Sequence, residues 1–234
     1  MDANASADTD ATVGEVPEPR LLADVAYEGL RDRLLTLQIK PGQSIDEDRI
    51  GRELGIGRTP VREAIKRLAL EKLVSIYPRR GTFATDINIT DLSDISDIRA
   101  ALESHAAGRA AERLTPERLL ELEALMAELD AVRAGPQSPV PEVERPALMD
   151  LDARVHRFIY RCADNPYLAE TCERYFNLSL RIWYLALDRM PALSAHIDEH
   201  RALLDAIAAG DPQRARETVA EHVQTFERSI RAVL

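Results

Sequence analysis

The amino-acid sequence predicts a mainly α-helical protein in two parts: a small N-terminal unit of three helices and a β-hairpin, then a larger all-α bundle. Three observations carry this expectation. Long stretches are rich in Ala, Leu, Glu and Arg, which lose little side-chain freedom in a helix, and aromatic residues make up only 5% of the chain. Apolar residues recur at helical spacing along most of the sequence, whereas residues 73–85 read as strand, turn and strand. A length of 234 residues suits one small and one medium domain of about 100–150 residues each.

Taken in order, residues 1–20 are small, acidic and polar, have nothing to bury and are expected to form a disordered tail. A first helix runs from Leu21 to about Leu37, with Leu22, Val25, Leu30, Leu34 and Leu37 near helical spacing, and Lys40-Pro41-Gly42 closes it. Ser44, with Glu47 three residues on, has the pattern of a capping box and is expected to open a second helix. Ile50 and Leu54 mark its inner face and Gly55 its end. Thr59 as N-cap and Pro60 at the first helical position start a third helix, whose inner positions are Val61, Ala64, Ile65 and Leu68. Leu73 to Thr85 then forms two short strands around a Pro/Gly turn. Three helices followed by a hairpin is the layout of a winged helix-turn-helix.

From Asp91 the pattern is helical almost throughout, with helices expected at about 91–113, 116–134, 146–163, 166–189, 192–209 and 212–232. Thr115-Pro116 and Asp211-Pro212 repeat the cap-then-proline signal, and Asn165-Pro166 caps and starts a helix. The Pro-rich stretch from Ala134 to Pro141 reads as a loop between similar helices. The domain boundary falls near Thr85–Thr90, dividing the chain into 1–20, 21–85 and 86–234.

Composition removes several classes. No segment approaches 18 uncharged apolar residues, so a membrane span is not expected. The acidic start is unlike a signal peptide, so a cytoplasmic location is expected. Cys162 and Cys172 are too few for a disulfide framework or a zinc ribbon and read as buried free thiols. The formal net charge of −10 is unevenly placed: residues 1–20 carry −4, residues 21–85 carry +3 and the remainder −9. A basic segment joined to an acidic body indicates divided labour.

Within the basic segment, Arg58, Arg62 and Lys66 lie four residues apart on one face of the third helix and its lead-in, opposite Val61, Ile65 and Leu68. An apolar back and cationic front suit a helix in a DNA major groove, where Arg can donate twice to guanine. The Thr59 hydroxyl and the free amides of the helix start suit a phosphate. Arg79 and Arg80, beside Gly81 at the hairpin tip, could reach the backbone or the minor groove.

Ile45 to Val74, reading IDEDRIGRELGIGRTPVREAIKRLALEKLV, followed by PRRGTFA, resembles the winged helix of the GntR family. The resemblance implies DNA contacts by Arg58, Thr59 and Arg62 and close approach of the wing at Gly81. The chain departs from the family pattern at Asp48, where many relatives carry an Arg, and Arg49 follows it.

All five histidines come after residue 100. Asp152 and His156 are four apart and share a helix face. His200 stands ten residues before Gly210 and His222 ten after Pro212, so each lies about 15 Å from the intervening turn at 1.5 Å per residue. In an antiparallel helix pair the two are level. With Asp152 and His156 from a neighbouring helix they would form a cage of three nitrogens and one oxygen, suited to a divalent first-row ion. Helical histidines are also commonly surface or hydrogen-bonded core residues, and spacing alone leaves that alternative open. His196, one turn before His200, either substitutes for it or stands behind it, and His105 is expected to be structural.

Residues 152–226 resemble the FCD effector domain of the FadR subfamily, in DARVHRFIYRCADNPYL, the RIW stretch and EHRALLDAIAAGDPQRARETVAEHVQTF; DIRAALESHAAGRAA fits its first helix. The resemblance implies that Asp152, His156, His200 and His222 hold a metal, zinc first, with nickel or manganese as the other candidates. Val155 stands where relatives often have Phe. It further implies a small organic acid as effector, its carboxylate completing the coordination, with Arg99 and Arg181 as cationic candidates for the other end.

The expected function is therefore a ligand-responsive transcription regulator, a repressor, binding an inverted repeat of double-stranded DNA as a homodimer and not acting as an enzyme. The alternatives are a metal-dependent helical enzyme with a DNA-binding appendage and an architectural DNA binder with structural histidines. No Glu-x-x-His pair, Cys–His pair or Gly-rich phosphate loop accompanies the cage to favour the enzyme.

Overall fold

In the computed structural model, which describes residues 21–134, 145–190 and 193–234, the first helix, α1 (Leu22–Leu35), buries Ala26, Leu30, Leu34 and Leu35 along one stripe. It ends two residues earlier than expected, because the chain reverses at Leu37 with φ 57°. The expected tail, residues 1–20, and the loop after Ala134 lie outside the described residues.

The second helix, α2 (Glu47–Leu54), is capped by Asp46, whose carboxylate accepts from the amides of Asp48 and Arg49. Ser44 is not the cap. It is held as an isolated β-bridge to Phe83, and Ile45 N donates to Thr82 O at 2.8 Å. Gly55 closes α2 in the left-handed region at φ 68°, where a Cβ would be strained. The third helix, α3 (Arg58–Leu70), begins after Gly57, so Thr59 and Pro60 lie inside its first turn. Pro60 is tolerated there because amides of the first turn have no intrahelical acceptor. Val61, Ala64, Ile65 and Leu68 are buried against α1 and the hairpin. Strands β1 (Val74–Tyr77) and β2 (Gly81–Ala84) pair antiparallel, from Val74 opposite Ala84 to Tyr77 opposite Gly81.

A linker of Thr85–Asn88 and a single 3₁₀ turn, Ile89–Asp91, lead into the bundle: α4 (Leu92–Arg113), α5 (Pro116–Ala134), α6 (Arg145–Cys162), α7 (Pro166–Ala186), α8 (Leu193–Ala208) and α9 (Pro212–Arg231). The proline-marked starts fold as their spacing predicts. Asn165 accepts from Leu168 N, Asp211 from Arg214 N and Thr115 from Arg118 N. Helix α4 is the hub, packing on α6, α7, α8 and α9. Where α4 and α9 meet, Gly108 leaves room for the Arg216 guanidinium, whose Nε lies 2.3 Å from where a Cβ would stand.

Phe158, Ile159, Phe176, Leu122, Leu129 and Leu203 fill the bundle core, each contributing about 1.5–3 kcal/mol by leaving water. Cys162 and Cys172 are free and buried, and burial pushes their thiols up to about 11 and about 12. Among the described residues no helix is long and apolar enough to cross a membrane.

Candidate metal centre and DNA-reading face

Asp152 and His156 project from one face of α6, His200 from α8 and His222 from α9, and all four side chains are buried. Gly210, at φ 63°, makes the tight turn that sets α8 and α9 side by side. One potential ligand atom from each residue lies within 4.8 Å of all the others. His200 Nε2 is 3.1 Å from Asp152 Oδ1 and 3.4 Å from His156 Nε2, and His156 Nε2 is 3.8 Å from Asp152 Oδ1. A tetrahedral site with zinc–ligand bonds of about 2.0–2.1 Å has ligand atoms about 3.3–3.4 Å apart. The spacing fits.

The opposite ring nitrogens are each turned to an acceptor. His200 Nδ1 donates to His196 O at 2.7 Å, His222 Nδ1 to Glu199 Oε2 at 2.7 Å, and His156 Nδ1 sits 2.9 Å from Glu103 Oε2. For His200 and His222 these hydrogen bonds assign the proton to Nδ1 and leave a lone pair on Nε2, while His156 Nδ1 faces the Glu103 carboxylate at close range. Imidazole lone pairs and a carboxylate therefore converge with no donor among them. Among the described residues, neither oxygen of the buried Asp152 receives a hydrogen bond. Buried acceptors facing one another are costly unless a cation lies between them, so the donor set fits a divalent metal.

The electrostatics support this. Burial holds His222 down at about 3, with the neighbouring His200 adding to the effect, so it is neutral at physiological pH and free to ligate. Burial alone would raise Asp152, but the surrounding imidazoles outweigh it and keep the carboxyl below the ordinary range. Glu103 is likewise pushed up by burial and brought down to about 2 by Arg99 and His156; Glu199 reaches about 2 through His196 and His222.

Glu103 and Glu199, which face the outer nitrogens of His156 and His222, are the residues of the candidate site that sequence reasoning missed. The i,i+4 spacing of Arg99 and Glu103 was the available signal for the first; nothing local marks the second. His196 lends its carbonyl to His200, and its own Nδ1 lies 3.5 Å from Glu199 Oε2. His105, expected to be structural, is exposed on α4.

The two arginines considered for an effector separate. Arg99 stands behind the centre, donating from Nε to Glu103 Oε1 at 2.6 Å and from Nη1 to Ser179 Oγ at 2.8 Å, over the rings of Phe176 and Phe226. Arg181 instead reaches the linker, with Nη1 2.6 Å from Thr85 Oγ1 and Nη2 2.7 Å from Thr85 O. The cavity at the metal centre is about 10 Å³, bounded by Leu129, Leu148, Leu151 and Trp183 beside Asp152, His196 and His200. That holds about one water. An organic acid enters only if these side chains move.

In the N-terminal unit, Arg58, Thr59, Arg62 and Lys66 are exposed along α3, away from its buried stripe. Arg58 Nη2 donates to Asp48 Oδ2 and Arg62 Nε to Glu47 Oε2, both at 2.7 Å. Arg79 and Arg80 are exposed at the hairpin tip, Arg80 lying over the Tyr77 ring at 5.8 Å, and Gly81 has φ 104°.

A cationic helix and wing joined to a buried histidine centre define a DNA-binding transcription regulator. Comparison with known proteins agrees. The model for bacterial regulatory proteins of the gntR family matches residues 22–84, and that for the FCD domain matches residues 94–225. The chain belongs to the GntR family of regulators with an FCD domain.

It is 27% identical over 210 residues to the transcriptional repressor RspR of Escherichia coli K12, covering 88% of each chain. To the regulator McbR of the same organism it is 29% identical over 197 residues, covering 83% of this chain and 86% of McbR. The solved structure of Escherichia coli McbR superposes with a TM-score of 0.78 at 25% identity, covering 92% of this chain and 99% of that one. A regulator from Rhodococcus shares the fold, at a TM-score of 0.67 and 19% identity, covering 91% and 98%. These relatives are transcription regulators, and the chain is a regulator rather than an enzyme.

Proposed function

We propose that this regulator is a metal-containing repressor of the FadR subfamily that senses a small organic acid and binds an inverted repeat of double-stranded DNA as a homodimer in the cytoplasm. Residues 21–85 form the reading head and residues 86–234 the sensing and dimerising body. Arg58, Thr59, Arg62, Lys66, Arg79, Arg80 and Gly81 contact the DNA. Asp152, His156, His200 and His222 hold the metal, zinc in preference to nickel or manganese.

The observation that carries this reading is the convergence of those four buried side chains, with lone pairs inward and protons outward. A bound divalent metal would supply a positively charged anchor for a carboxylate. Glu103, Glu199 and the His196 carbonyl hold the imidazoles in the tautomer that ligation requires. Trp183 and its apolar neighbours leave room for no more than about one water at the centre and must shift to admit an effector. Arg99, behind the centre, neutralises Glu103 and so steadies the support of His156. An effector shifts DNA affinity only if it binds one head–body arrangement better than the other.

Metal analysis of the purified protein, with thermal shift of wild type and His200→Ala against small organic acids with and without chelator, tests the reading. The expected outcome is about one metal per chain and an acid-induced shift that both chelator and His200→Ala remove. A metal-free protein that still responds to the acid would overturn it.

A further inference from the structure

The seam between head and body holds a second cavity, of about 380 Å³, which shares no lining residue with the cavity at the metal centre. This is within the usual size range of small-molecule pockets, about 300–1,000 Å³. Its walls come from all three parts of the seam: Lys72 of the head, Thr85 to Asn88 of the linker, and α4 and α7 of the body. Ile87, Ile95, Ile98, Leu178 and Ile182 form an apolar surface within it.

Arg181 is set into this wall and is only 2% exposed. Its two Nη groups are spent on Thr85, and among the described residues Nε has no hydrogen-bond partner. Both acceptors are neutral oxygens. A buried guanidinium without a bonded carboxylate is costly, and its pKa is accordingly brought down by burial to about 10, with Asp86 the acid that acts on it. Nε is itself closed off, so a carboxylate in the cavity satisfies both the donor and the charge once the lining side chains give way to admit it.

A plain anion is nevertheless a poor occupant. Asp86, Asp91 and Asp94 also line the cavity, against Lys72 and Arg181. Asp91 is engaged by Asn88 Nδ2 at 2.9 Å, while Asp94 lies exposed in the first turn of α4. The wall thus offers a buried cation, an apolar surface and exposed carboxylates, which is the complement of a zwitterion with an apolar body.

We propose that the seam cavity is a second ligand site, distinct from the metal centre, that takes an apolar α-amino acid: carboxylate on Arg181, ammonium toward Asp94, side chain against Ile95, Ile98 and Leu178. Since its walls belong to head, linker and body together, an occupant favours one arrangement of the two halves.

Titration calorimetry of the full chain tests this with three probes: leucine, 4-methylpentanoate, which lacks the ammonium, and 3-methylbutylamine, which lacks the carboxylate. Leucine should bind once per chain and at least about tenfold more tightly than either analogue. Two substitutions at exposed rim positions, chosen so that folding is unaffected, should act on it: Asp94→Asn should weaken leucine about tenfold, and Ile98→Trp should block it by filling the cavity. His200→Ala should leave leucine binding unchanged, which separates this site from the metal reading. Absence of leucine binding, equal binding of 4-methylpentanoate, or loss of binding in His200→Ala would each overturn the proposal.

Discussion

The reading face of the head and the histidine centre of the body handle charge in opposite ways. In the head, the side chains of the Arg58–Asp48 pair are 66% and 42% exposed, and those of Arg62–Glu47 are 59% and 28% exposed. In the body, Arg99 and Glu103 are 3% and 1% exposed and join the histidine cluster through His156. Exposed pairs are screened by water and contribute little to stability, so the head arginines can exchange a carboxylate for a phosphate or a base edge at low cost. Buried pairs cannot separate without leaving an uncompensated charge. The reading face is built for exchange of partners and the histidine centre for retention.

The largest test of that contrast is Glu103→Gln, which leaves Arg99 buried without its counter-charge. Unfolding in denaturant should show a loss of about 3–5 kcal/mol; a loss as small as that of a surface pair would remove the distinction. Next comes the outer support of the centre. Glu199→Gln should lower metal affinity by about 10–100-fold in a chelator competition, with secondary structure unchanged by circular dichroism.

On the head side, Arg62→Ala should weaken operator binding by about 10–100-fold at fixed salt while leaving the melting temperature in place. A matching loss on unrelated DNA would recast Arg62 as a phosphate contact rather than a base reader.

Acid should distinguish the halves as well. In the metal-free protein His222 is neutral when folded, at about 3, against about 6.5 when unfolded. The unfolded chain therefore binds the extra proton first, and stability present above about pH 6.5 is lost as pH falls toward 3. Melting curves across that range should show the decline, and His222→Asn should flatten it. The smallest effect is expected for Asp48→Asn, which should move the melting temperature by less than about 2 °C while raising affinity for non-specific DNA.

Much of the helical framework was legible because its signals are local. Asp211-Pro212 and Asn165-Pro166 cap helices through amides three residues away, so no distant contact was needed to read them. Ser44 misled because it matches a capping box, whereas its backbone is claimed by Phe83, 39 residues further along the chain. Helical period pairs Asp152 with His156 and the symmetric turn pairs His200 with His222, whereas only the resemblance to the FCD domain joined the two pairs. Glu103 comes from a helix whose distance from α6 no pattern encodes, and the partner of Arg181 depends on where the linker crosses α7.

By itself, then, the amino-acid order determined the helices and placed Arg58, Arg62 and Lys66 on one helix face, Asp152 with His156 on another, and His200 level with His222, because each follows from spacing within an element or across one turn. Tertiary structure alone decided the orientation of each imidazole, the closure of the centre by Trp183 and the destination of Arg181. Those depend on how separate helices pack, and packing is set by shape and desolvation over the whole core rather than by any short run of residues.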